Sequence, residues 1–201
     1  MDKITPVSER MRNDEQEQKE FTAMSCSELL VYLDQHWETL RDERRTFLTS
    51  LIVNKKCKEG ISYLLHQVKS EDPFSRRQAL HGLAELECRE HRQLFINLYF
   101  SDPDDKVRAG ALIDLCRMFP GERDIGILGL ALNAFDNPAS SMTMRLAAGA
   151  AMICQLHVPK ELGELPWWDE EEEDLQHPAL LRALAESRMI LCQNPDHPDA
   201  S

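Results

Sequence analysis

The chain has 201 residues, 42% of them apolar and 29% charged, enough for one globular domain that buries its own core without help from disulfides or metals. Lys plus Arg number 23 against 35 Asp plus Glu, a formal charge of −12, which argues against general nucleic-acid or anionic-membrane binding and favours a basic protein partner. The longest apolar runs, 125–132 and 146–154, are shorter than the roughly 18 residues a spanning helix needs.

Residues 1–24 mix both charge signs with Gln and Asn and lack the apolar stretch of a secretory signal, so they read as a frayed polar tail on a cytoplasmic protein. The ordered part is expected to begin at Ser25, where Ser25-x-x-Glu28 forms a capping box ahead of Leu29, Leu30 and Leu33. Leu29, Leu33, Trp37 and Leu40 then recur at helical spacing. Further helices are expected over 44–53 and 58–69, the second with Ile61, Leu64, Leu65 and Val68 as its stripe. Six cysteines (26, 57, 88, 116, 154 and 192) lie far apart in apolar helical patterns, which predicts free buried thiols.

The middle of the chain repeats. Asp72-Pro73, Asp102-Pro103 and Asn137-Pro138 each precede a helix rich in small residues, and Arg76, Arg108 and Arg145 each stand three residues before an alanine. These Arg-x-x-Ala steps are 32 and then 37 residues apart. A second apolar helix follows the first two units, over 91–100 and 123–135. A recurring helix pair of this length is the mark of an α-solenoid. Asp or Asn is expected to cap each opening helix with Pro in its first turn, where a missing N–H costs nothing. The arginine is expected to tie one unit to the next. Gly126 and Gly129 fit close helix packing in an apolar helix.

In these residues the chain resembles the HEAT-like repeat family, whose units carry a D-x-x-V-R-x-x-A-a-x-a-L pattern. Asp104, Asp105, Lys106, Val107, Arg108, Ala109, Gly110, Ala111 and Leu112 match it best, while Arg76 and Arg145 lack the preceding valine. The resemblance covers about residues 70–156 and implies an all-α superhelix of hairpins with a concave face. It implies little about function.

Beyond residue 159 the composition changes: from 161 to 201 eleven acids face only Arg182 and Arg188, a net charge of −9. Within this stretch Trp167 and Trp168 adjoin six acids: Asp169, Glu170, Glu171, Glu172, Glu173 and Asp174. Rigid aromatics beside steering charge suit a docking segment for a basic partner, and these eight residues are the predicted partner-binding site. A helix over 178–192, with Leu181, Leu184, Met189 and Leu191, is expected to close the stack, followed by a flexible tail over 193–201. The organisation is thus a polar tail (1–24), a HEAT-like repeat domain (25–158), an acidic loop with a capping helix (159–192) and a tail.

Catalytic chemistry finds no foothold. Cys88-x-x-His91 is the one close Cys/His pair and lacks a second pair to complete a metal site, and there is no phosphate-cradling glycine loop or nucleophile elbow. His36, His66 and His81 fall on unrelated helix faces. Iron chemistry of the kind one HEAT-repeat hydroxylase family performs uses His-Glu pairs, and the chain contains no His-Glu step. A HEAT-like DNA glycosylase would cast Trp167, Trp168 and Asp169 as its cleft residues, but it needs a basic concave face. The expected function is therefore a non-enzymatic, cofactor-free protein-binding module, either an adaptor or scaffold, or an immunity or antitoxin-type inhibitor of a basic toxin or effector.

Overall fold

The computed structural model describes residues 16–157 and 177–194. Within them the chain is all-helical, with no strand among the described residues. Nine α-helices follow a short helical stretch over 16–23: α1 (Cys26–His36), α2 (Asp42–Asn54), α3 (Ile61–Gln67), α4 (Pro73–Glu85), α5 (Arg92–Ser101), α6 (Asp105–Met118), α7 (Ile125–Asp136), α8 (Met142–Leu156) and α9 (Pro178–Cys192). Short 3₁₀ turns lead into α3 and α5 and follow α1.

Alternate helices pack in succession: α2 on α4, α4 on α6, α6 on α8. The intervening helices α3, α5 and α7 each lie against the helix that follows, and α9 covers α8 and α7. Contacts between polar groups recur at about one unit of sequence. Thr46 and Ser75 share a hydrogen bond of 2.9 Å, Arg92 donates to Asp124 at 2.6 Å, and Asp124 N–H donates to Gln155 at 3.0 Å. The core that results is one continuous cluster, running from Phe21 and Leu29 through Leu83 and Leu112 to Leu180 and Leu184.

Local chemistry sets the helix starts. Ser25 and Glu28 close the expected capping box on α1, with the serine oxygen accepting from the Glu28 N–H and the Glu28 carboxylate from the Ser25 N–H. Asp72 caps α4 with Pro73 in its first turn, as expected. The other two Asx-Pro steps do different work. Asp102 ends α5 and the cap of α6 is Asp104, while Asn137 ends α7 and the cap of α8 is Ser141. Each aspartate that precedes a proline can accept from the turn that follows it, so the same dipeptide closes one helix as readily as it opens another.

Three expectations are corrected. The ordered chain begins before Ser25, because Phe21 sits 4% exposed in the core against Tyr32 and Phe47. A lone aromatic in a polar stretch gives no periodicity to read. Cys26 and Cys57 are disulfide-bonded rather than free, their Cα atoms 5.9 Å apart, although 31 residues separate them in sequence. Of the four residues expected to pack α9, Leu184 and Leu191 are buried, while Leu181 and Met189 face outward, 46% and 53% exposed, and Leu180 and Ala183 take their place. Close helix approach is enforced at Gly82 and Gly149, where a Cβ would lie 2.7 Å from Val53 and 2.6 Å from Leu180.

Candidate functional site

The three repeat arginines have different partners. Arg76 is buried and makes a forked ion pair with Asp102, at 2.8 and 2.7 Å, while its remaining Nη donates to the Ser70 and Glu71 carbonyls. It joins α4 to the residue that ends α5. Arg108 stays within its own unit, bonding the Asp102 carbonyl and pairing with Asp105. Arg145 turns back to the Phe135 carbonyl and lies over its ring. Burial alone would raise the Asp102 carboxyl, but the Arg76 hydrogen bonds, the Asp104 N–H and the nearby arginine charge outweigh it and hold it below its ordinary value.

One residue after Arg76, the chain enters a groove. Arg77, Gln78 and His81 of α4 face Gly110, Ile113, Asp114 and Arg117 of α6 across a cleft of about 520 Å³. Gln78 and His81 also line a neighbouring cleft of about 290 Å³ between α4 and α2, with Thr46, Thr49, Ser50, Val53, Gly82 and Glu85 among its walls. The two clefts share residues and run along the face made by α2, α4 and α6.

The lining has a register. Thr46, Gln78 and Gly110 stand 32 residues apart in succession, as do Thr49, His81 and Ile113; Ser50, Gly82 and Asp114; and Val53, Glu85 and Arg117. On each helix these positions follow the i, i+3, i+4, i+7 spacing of one face. The corresponding positions of α8, now 37 residues on, are Ala147, Ala150, Ala151 and Cys154, so the polar lining ends there.

Charge collects at the α4–α6 section. Asp114 has only 5% of its side chain exposed, and its Oδ1 lies 3.2 Å from His81 Nδ1 and 3.3 Å from an Arg117 Nη. The hydrogen bond to Asp114 raises the His81 imidazole above its ordinary value against the pull of burial and of Arg117. With Nδ1 bonded to the carboxylate, Nε2 is the ring's other nitrogen. Arg77 forms no hydrogen bond or ion pair among the described residues and rests over the Phe74 ring at 5.8 Å. Its stem fills the space left by Gly110, where a Cβ would lie 3.2 Å from Arg77 Cγ. In the next section Lys56 is engaged with Glu85, both its carbonyl and its carboxylate.

The predicted partner-binding residues, Trp167 through Asp174, lie outside the described residues, so their place relative to the groove is not part of this geometry. The other sequence candidates are packing groups. Cys88 is buried in the core, and His66 accepts from the Trp37 indole at 3.3 Å. No cluster of three or more His, Cys, Asp or Glu residues among the described residues is arranged to hold a metal ion. No described helix is long and apolar enough to cross a membrane. Sequence reading passed over Arg77, Asp114 and Arg117 because none belongs to a catalytic motif, and it took His81 for an isolated histidine. His81, Asp114 and Arg117 fall on the face that recurs every 32 residues, and Arg77 adjoins it. No family model, curated protein or solved structure matches the chain.

Proposed function

We propose that this protein is a non-enzymatic binding module built as an α-solenoid of HEAT-like hairpins, which holds a protein partner in the groove along α2, α4 and α6. The 32-residue register of the groove lining carries this reading. Equivalent positions of three successive helices line two adjoining clefts, most of them with polar or charged side chains, and such repetition builds an extended binding face. The two clefts adjoin along one face of three helices, which suits a loop or extended segment of a partner. His81 and Asp114 are committed to each other and to Arg117, an arrangement that fixes charge in place for recognition.

The acidic segment, Trp167, Trp168 and Asp169–Asp174, is the second contact in this proposal, with its six carboxylates steering a basic region of the same partner. Groove and segment differ in sign, so the partner carries both charges. An inhibitor of a basic toxin or effector is the version that the concentration of acids in the last fifth of the chain favours.

The test is affinity purification of the tagged full-length protein from its native host at low and high salt, with two variants beside it. The proposal expects one stoichiometric partner, weakened by Gln78→Trp, which fills both clefts, and made less salt-sensitive by changing Glu170–Glu173 to Gln. A partner retained in full by the groove variant would refute the assignment to this face.

A further inference from the structure

The α4–α6 section of the groove carries an excess of basic side chains in an acidic chain. Arg77, Arg117 and His81 line it against a single carboxylate, Asp114, which is buried and already engaged by two of the three. Arg77 has its five N–H donors uncommitted to any other described residue, and a guanidinium partly withdrawn from water is a strong host for an oxyanion. Gly110 leaves room on the facing helix for the Arg77 stem and for whatever the guanidinium grips. The neighbouring α2–α4 section lacks this excess, because its Lys56 is engaged by Glu85.

We propose that this section is a carboxylate-binding site, in which Arg77 grips an aspartate or glutamate side chain of the protein partner while Arg117 and His81 supply the flanking positive charge. The inference rests on reading the groove as the partner face. A protein carboxylate suits the site better than a nucleic-acid backbone. The charge of −12 repels an extended polyanion, whereas one monoanionic side chain meets only the local field. Asp114 at the floor and Glu85 in the adjoining section also oppose a doubly charged group more than a singly charged one.

The probes are the blocked tripeptides acetyl-Gly-Glu-Gly-amide and acetyl-Gly-Gln-Gly-amide, with inorganic phosphate as a third. Each is titrated into the full-length protein while the arginine Nε–Hε and histidine ring signals are followed by NMR. The glutamate peptide is expected to shift Arg77 and His81 saturably in the millimolar range. The glutamine peptide should bind at least tenfold more weakly, and Arg77→Ala should weaken the glutamate peptide by a similar factor with its backbone spectrum otherwise unchanged. Gly110→Leu, which displaces the Arg77 stem without removing a charge, should have the same effect on binding. Equal shifts from the two peptides, unmoved Arg77 and His81 signals, or an unaffected Arg77→Ala variant would each overturn the site. Phosphate saturating the same signals more tightly than the glutamate peptide would assign the site to a free inorganic anion and overturn the protein carboxylate. Peptide binding that survives while partner capture ignores the groove variant would sink the partner-face reading alone. Capture that needs the groove without any carboxylate preference would sink the site alone.

Discussion

Arg76 and Arg77 are adjacent in sequence and opposite in role. Arg76 points into the stack, forks onto Asp102, bonds two carbonyls and is 9% exposed. Arg77 turns to the other side of α4, lines the groove and makes no ion pair among the described residues. The buried arginine, with four of its five donors met, joins α4 to the residue that ends α5, whereas its neighbour keeps its donors free of any other described residue. Chemical type does not separate structure from function here; position on the helix does, by about 100° of rotation.

That contrast is easiest to break through stability. Arg76→Ala leaves the Asp102 carboxylate buried without its partner and should cost about 3–5 kcal/mol in denaturant unfolding. Adding Asp102→Ala should recover much of the loss, because the two residues act as one unit. If Arg76→Ala costs no more than Arg77→Ala, the division of labour between them is wrong.

Acid sharpens the same point. The folded Asp102 carboxyl titrates below its ordinary value of 3.8, so its contribution is complete above that pH and is lost as pH falls through the lowered value. Acid unfolding followed by circular dichroism should therefore steepen below pH ~4 in the native chain, and Asp102→Asn should remove part of that limb. Asp124 and Asp72 are also lowered and should supply the remainder.

Groove variants should behave in the reverse way. Gly110→Ala replaces a helical glycine and gains up to ~1 kcal/mol of helix propensity, while the flexible Arg77 stem gives by a few tenths of an ångström. Its melting temperature should rise as partner binding falls. Arg77→Ala should change stability by less than about 0.5 kcal/mol, as surface substitutions usually do, and yet weaken partner capture. The smallest effect belongs to His81. Its NMR titration midpoint should lie above 6.5, and Asp114→Asn should lower it. Because the folded value is the raised one, the stability it adds is present below pH 6.5 and fades as pH climbs through that midpoint.

Much of the helical layout is legible in the sequence. The capping box at Ser25, the Asp72-Pro73 start of α4 and the whole of Pro178–Cys192 follow from local chemistry, which acts over three or four residues. Asp102 shows where local rules stop. Its proline neighbour marks a helix boundary, but its role is set by Arg76, 26 residues earlier, whose guanidinium draws the carboxylate into the core. The Cys26–Cys57 bond and the buried Phe21 are likewise tertiary facts, decided by which helices meet. The groove is an intermediate case. Its register of 32 residues is present in the sequence through Thr46, Gln78 and Gly110, but those residues share no chemical type, and only the packing of α2, α4 and α6 makes their positions equivalent.

The central claim is that the partner lies along the groove of α2, α4 and α6. Hydrogen–deuterium exchange of the full-length protein, alone and with its co-purified partner, tests it most directly. The account predicts slowed exchange in Asp42–Asn54, Pro73–Glu85 and Asp105–Met118, strongest around Arg77 and Asp114. Protection confined to α9 or to the acidic segment, with these three helices unchanged, would contradict it.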